Sequence, residues 1–182
     1  MKKIVTYCIS IILFLFYCVV LVLSFFPKIT QEYECFFVTK ESDSFIENGA
    51  FHYDVGKKLF LSDTDSADIG RFTKGWSTKT EYGIWTFGNE SIIRFTDLPH
   101  KKMILYLDFI NTWLPEEATI DVYLQSRLAG TFYVKDLVYG EAVQVPIEES
   151  DVLDGSLKVS LCFKDENIEY GMLCRSVWIN EV

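Results

Sequence analysis

Four side chains in this sequence have the chemistry to hold a sugar ring: Trp76, Glu81, Tyr82 and Trp113. Trp and Tyr offer flat apolar faces with a polar edge, which suits stacking on a ring while hydrogen bonding at its rim. The Glu81 carboxylate would accept hydroxyl hydrogens. Three of the four fall inside the stretch Gly75–Gly88, which also carries Trp85. Trp113, in Asn111-Thr112-Trp113-Leu114-Pro115, is a separate candidate for an exposed contact. Trp85, flanked by Ile84 and Phe87, reads as core. Trp76 is open between two roles, a platform for a ligand or a ring packed over a sheet edge.

Other chemistries are poorly represented. Nucleophilic catalysis needs a nucleophile, a base and an orienting group. The only histidines are His52 and His100, and no Gly-x-Ser-x-Gly elbow occurs. Zinc spacings of the Cys-x-x-Cys or His-x-x-x-His kind are absent. Asp63, Asp65 and Asp68 gather three carboxylates in six residues, but without the following glutamate of a calcium loop they read as a solvated loop. No Gly-rich phosphate cradle is present. The expectation is a chain with no cofactor, no metal and no catalytic residue. Cys162 and Cys174 fall on strands near the end; a hairpin between those strands would bring both thiols to one face, and otherwise they stay unpaired.

These residues need a scaffold and an address. After Lys2 and Lys3 the run Ile4 to Phe26 carries no charge, and about 20 apolar residues suffice to cross a bilayer as a helix. The run is too long for a signal-peptide core, although Val22-Leu23-Ser24 would be a tolerable cleavage site. The expectation is a retained single-pass anchor over 1–27, its N-terminus cytoplasmic beside the two lysines. All 26 acidic residues and 15 of the 17 basic ones lie beyond Phe26, so the exported part carries −11. A surface of that sign repels nucleic-acid phosphates, and no nucleic-acid partner is expected.

Residues 28–50 read as a linker in which Tyr33–Val38 has the composition of a first strand. Phe51–Val55 and Lys58–Leu61 look like a hairpin turning at Gly56, and residues 62–70 like a loop. Beyond Gly83 the pattern is period two. Ser91–Phe95 is short; Met103, Leu105, Leu107 and Phe109 share one face. So do Ile120, Val122 and Leu124; Phe132 and Val134; Val143, Val145 and Ile147; Leu157, Val159, Leu161 and Phe163; and Val177 and Ile179. Turn chemistry separates them at Leu114–Glu117, Ala129-Gly130, Tyr139-Gly140 and Asp154–Ser156. Glu148–Leu153 has room for one helical turn. Short alternating strands of this kind predict an all-β domain over 51–182, an antiparallel, jelly-roll-like β-sandwich preceded by one transmembrane helix.

The order Gly75-Trp76-Ser77, Glu81-Tyr82-Gly83-Ile84-Trp85, Gly88, then the closing Arg175-Ser176-Val177-Trp178-Ile179, resembles a family. It is the β-sandwich domain found on bacterial phosphoglycerol transferases and other membrane-bound enzymes of envelope polysaccharides. The resemblance covers roughly residues 70–182. It implies that Gly75, Gly83, Trp85, Gly88 and Arg175 are structural and that Glu81 and Arg175 form a charge pair joining the two motifs. Leu173 and Trp178 depart from the family, standing where it has Asp and Gly. The resemblance places the chain in the bacterial inner membrane with its domain outside, periplasmic or extracellular. Its expected partners are the lipid bilayer and an envelope glycan or a glycan-modifying membrane enzyme. The competing reading is an interaction subunit of a membrane complex that binds no glycan itself.

Overall fold

In the computed structural model the alternating segments become strands because alternation lets one side of each be buried while the other stays wet. The structure describes residues 2–25, 29–63, 66–111, 114–164 and 170–182, with side chains for all of these except 2–4, 6, 8, 66, 67, 111 and 170. Ten strands are present among them: β1 Leu59–Phe60, β2 Phe72–Lys74, β3 Ile84–Phe87, β4 Glu90–Phe95, β5 Met103–Asn111, β6 Thr119–Leu124, β7 Arg127–Tyr133, β8 Val143–Ile147, β9 Leu157–Phe163 and β10 Tyr170–Glu181. Sheet I has the order β1-β10-β5-β8, with β3 also on β10, and sheet II the order β2-β4-β9-β6-β7; all pairings are antiparallel. From β3 onward the orders 3-10-5-8 and 4-9-6-7 are those of a jelly roll. Leu105, Leu107, Val145, Val177 and Ile179 of sheet I and Ile93, Val122, Leu124, Val159 and Leu161 of sheet II are all buried in the core between them.

The chain divides into two compact units, Met1–Gln31 and Glu32–Val182. The first contains helix α1, Lys2–Ser24, whose 23 residues amount to about 35 Å of helix. Leu13 to Tyr17, five successive residues and thus the whole circumference, are exposed. Among the described residues no helix is long and apolar enough to cross a membrane; five of the α1 side chains lie outside the described set. The second unit draws its sheets, core and described ion pairs from its own residues, so it carries what it needs to fold alone.

Several expectations are corrected. Tyr33–Val38 is not a strand: α2 (Gln31–Tyr33) runs into a π-helical turn, Glu34–Val38, closed by Thr39 N–H to Glu34 O at 2.9 Å. Four of its last five residues are apolar without alternation, so no strand face exists to be buried. Cys35 instead turns inward into a second apolar cluster with Ile46, Ala50 and Phe51. The hairpin about Gly56 does not form either. The chain does turn there, but β1 pairs with β10, and the Gly56 N–H reaches Ile179 O at 2.7 Å. Within the loop at 62–70 lies a short helix, α3 (Ser66–Ile69). The break expected at Ala129-Gly130 falls inside β7. The turn is Gln125-Ser126, and a bulge at Ala129, opposite Val122 and Tyr123, accounts for the glycine beside it. One helical turn does form at Glu149–Asp151, with a capping box between Glu148 and Asp151.

Residues 32–51 lie over the outer face of sheet II. Glu41 accepts hydrogen bonds from Arg94 and from Lys158 (2.7 Å), which face each other in register on β4 and β9. Ile92 and Ser160, on the same outward side, are buried. Burial pushes the Glu41 carboxyl up, yet the two cations outweigh it and hold the group below its ordinary value.

Candidate functional site

The Gly75–Phe87 stretch is a hairpin excursion pinned along its length. Trp76 bridges to Thr86 and Thr80 to Gly83. Ser77 N–H donates to Trp85 O at 2.9 Å, and Trp85 N–H to Ser77 Oγ at 3.1 Å. Gly75 adopts φ +72°, and a Cβ there would lie 1.9 Å from Glu90 O, so only glycine lets this backbone meet β4. The joint is closed by Ser91 Oγ–H to Gly75 O at 2.6 Å.

This pinning packs Trp76 over a sheet edge, one of the two roles left open for it. Its indole Nε1–H donates to Ile92 O at 2.8 Å, and its ring meets Phe72 edge-on with centroids 5.0 Å apart. Its remaining surface lines a cleft of about 350 Å³, within the range of small-molecule sites. The run Ser42-Asp43-Ser44-Phe45 from the segment over sheet II lines it too, together with Thr73, Ser77 and Thr78 and the apolar Ile46, Ile69, Phe72 and Ile84. The cleft therefore offers three aromatic rings, five hydroxyls and a carboxylate. Composition did not single out Ser42–Phe45, because a polar run ahead of an isolated Phe-Ile pair reads as linker. Its only signal was the density of short hydroxyl and carboxylate side chains.

The other expected ligand residues are not gathered there. Glu81 and Tyr82 form the exposed tip of the hairpin, where Tyr82 N–H donates to Thr80 Oγ1 at 3.3 Å, and neither lines the cleft. Trp113 lies outside the described residues. Trp85 is half-buried in β3, opposite Leu173 of β10.

The charge pair expected between Glu81 and Arg175 does not form. Arg175 donates to Asp108 Oδ1 at 2.6 Å, and its guanidinium lies over the Tyr139 ring at 4.6 Å. Glu81, fully outside on the tip, cannot compete with a carboxylate that is itself nearly buried. The two motifs do meet, through backbone. Gly83 at φ +137° packs against the Cys174 carbonyl, and Ile84 and Trp85 pair with Cys174 and Leu173.

Cys162 and Cys174 both have free thiols, and no hairpin joins them. β9 belongs to sheet II and β10 to sheet I, so the two strands are separated by the core. Burial pushes both thiols up, that of Cys174 very strongly. Of the acidic loop, Asp65 lies outside the described residues, and Asp68 is committed to Arg71 (2.7 Å) and Lys57 (3.3 Å). Among the described residues no group of three His, Cys, Asp or Glu could hold a metal ion. His52 is held between Asp97 at 2.8 Å and Asp54 at 3.4 Å, and His100 is exposed.

A feature of the outer face of sheet I was not expected. Tyr106 and Trp178 are in register and stack in parallel planes with centroids 4.9 Å apart. Lys58 Nζ covers the Trp178 ring at 4.1 Å. Both ring faces of Trp178 are thus occupied, so that ring presents its edge and no free platform.

No protein-family model matches the chain, and neither does any curated protein sequence. Several solved structures are similar in fold. Xylanase10C from Cellvibrio japonicus, in complex with xylopentaose, matches 57% of this chain at 15% identity and a TM-score of 0.44. This chain spans 24% of that xylanase. A carbohydrate-binding module CBM36, in complex with calcium and xylotriose, matches 68% of this chain and 99% of its own at 7% identity, TM-score 0.43. The xylan-binding module CBM15 matches 71% and 96% at 13% identity, TM-score 0.42. Likeness at this level identifies neither a ligand nor a site.

Proposed function

We propose that this chain is a membrane-anchored, outward-facing, non-catalytic β-sandwich that binds a cell-envelope glycan in the cleft beside Trp76. The observation that carries the reading is the cleft itself. A rigidly held indole shares the cleft with five hydroxyls and one carboxylate, the mixture that an apolar sugar face and its equatorial hydroxyls require. The resemblance of the Gly-Trp and Glu-x-Gly-x-Trp motifs to the domain of envelope-polysaccharide enzymes supports the same ligand class. Anchoring is supported by the uncharged run Ile4–Phe26 and by the exposed apolar circumference of α1. Lys2 and Lys3 favour a cytoplasmic N-terminus in a bacterial inner membrane, with the sandwich on the far side.

The test is titration of residues 29–182 with envelope-type oligosaccharides, followed by Trp fluorescence and calorimetry. Binding by wild type and its loss in Ser44→Ala/Thr78→Val, a pair that leaves the Trp76 packing intact, is the expected result. Binding unchanged in that pair and in Trp76→Phe would place the ligand elsewhere. No binding by wild type would leave the chain as an interaction subunit that positions an enzyme of the envelope.

A further inference from the structure

Beside the cleft the surface changes character. Tyr33, Phe37, Val38 and Phe45 are 47–66% exposed, and Phe36 is half-buried between them. The rings touch one another: Tyr33 and Phe37 have centroids 4.5 Å apart, Phe36 and Phe37 4.8 Å, and Phe36 and Phe45 5.8 Å. The π-helical turn makes this possible. Its wide winding turns Cys35 inward and leaves the successive residues Phe36, Phe37 and Val38 together on the outside. A water-soluble surface has no reason to collect four aromatic rings in thirteen residues, and patches of this kind mark contact sites.

We propose that this patch is a lipid-contact surface that seats the sandwich in the headgroup region of a bilayer. The proposal rests on the membrane reading of α1 given above. In the chain the patch begins nine residues after the last residue of α1, a tether of about 30 Å at full stretch. Aromatic rings with a polar partner such as Tyr33 are the residues that settle at the membrane–water boundary. The charged residues in and beside this segment are Glu32, Glu34, Lys40, Glu41, Asp43 and Glu47, acidic in balance, so the contact is with neutral lipid and does not depend on anionic headgroups. Phe45 belongs both to the patch and to the wall of the cleft. The cleft then opens at the lipid surface, and the saccharide it meets is the head of a lipid-linked glycan.

The experiment is co-sedimentation of residues 29–182, which lack α1, with phosphatidylcholine vesicles. Wild type is expected in the vesicle pellet, with Phe37→Ser lowering the partition coefficient roughly tenfold, the scale of one large apolar side chain leaving its apolar contact. Phe37→Leu, which keeps the apolar contact, is expected to retain binding and guards against a folding defect in the serine variant. Phe37 does not line the cleft, so Phe37→Ser should bind a soluble oligosaccharide as wild type does. Wild type left in the supernatant overturns the lipid contact, and continued saccharide binding in that case leaves the proposed function standing. Equal sedimentation of wild type and Phe37→Ser also overturns it. So does a wild-type dimer in solution that Phe37→Ser converts to a monomer, because the patch would then be a contact between copies.

Discussion

Replacing Gly83 by alanine tests whether the two halves of the glycine-tryptophan motif are joined through backbone. Gly83 holds φ +137°, and a Cβ there would lie 2.2 Å from the Cys174 carbonyl oxygen, 3.1 Å from its carbon and 3.2 Å from Arg175 Cα. None of these is a flexible side chain, so β3 has to withdraw from β10. Alanine at this φ is strained by about 1–3 kcal/mol. Withdrawal also loosens the Ile84–Cys174 pair, both of whose side chains are fully buried. The two effects together should cost about 3–4 kcal/mol, near the top of what single substitutions do, which for a domain of about 150 residues lowers Tm by roughly 10 °C. The comparison is Gly88→Ala. It shares a left-handed φ, +71°, but meets no atom within 4 Å, so it should lose only about 1–2 kcal/mol. Urea unfolding of residues 29–182 measures both. Equal losses for the two variants would refute the backbone joint and return Gly83 to being an ordinary turn residue.

Glu41→Gln should destabilise by about 2 kcal/mol at pH 7, between an exposed pair and a fully buried one. Because the native carboxyl is held below its ordinary value of 4.5, its contribution is present above that pH and disappears as pH falls through the native value. The stability difference between wild type and Glu41→Gln should therefore close in acid; a gap that stays constant down to pH 3 would mean that Glu41 does not carry the contact. Arg175→Met should cost about 2 kcal/mol by stranding Asp108, whereas Glu81→Gln should stay within about 0.5 kcal/mol. A coupling between Glu81 and Arg175 in a double-mutant cycle would reverse that assignment. Thiol labelling of the native domain should modify Cys162 ahead of Cys174, which should react only with the rate of unfolding. Equal rates would show that the core at Cys174 opens locally.

The sheets were legible because their signal is local. In Met103–Phe109 and Leu157–Phe163 each residue's face follows from its parity, and every core-facing position is buried; Asp108 and Ser160, on the other face, are buried as well. The segment over sheet II was not legible, because its one decisive contact pairs Glu41 with Arg94 and Lys158, 53 and 117 residues further on. The cleft depends on that contact, since it is what brings Ser42–Phe45 into one lining with Trp76. A sequence reading could identify Trp76 and had no means to supply Ser42–Phe45. Glu81 and Tyr82 were grouped with Trp76 by closeness in sequence, whereas a hairpin separates its tip from its base.

Parity also failed in β10, and the failure there explains the closing motif. Strict alternation carried back from Ile179 and Val177 would aim Arg175 into the core and Cys174 outward. A guanidinium among Ile84, Leu107 and Phe109 would have no partner and a severe desolvation penalty. β10 avoids this with one extra residue: its register on β5 slips between Cys174 and Ser176, which reverses parity. Cys174 becomes core, and Arg175 turns out to Asp108 and the Tyr139 ring. The slip leaves backbone where a side chain would otherwise stand, and that backbone is what Gly83 receives: the Cys174 carbonyl and Arg175 Cα. The glycine of the first motif and the arginine of the second thus need no charge between them. The arginine requires a bulge, and the bulged backbone requires a residue without a Cβ opposite it.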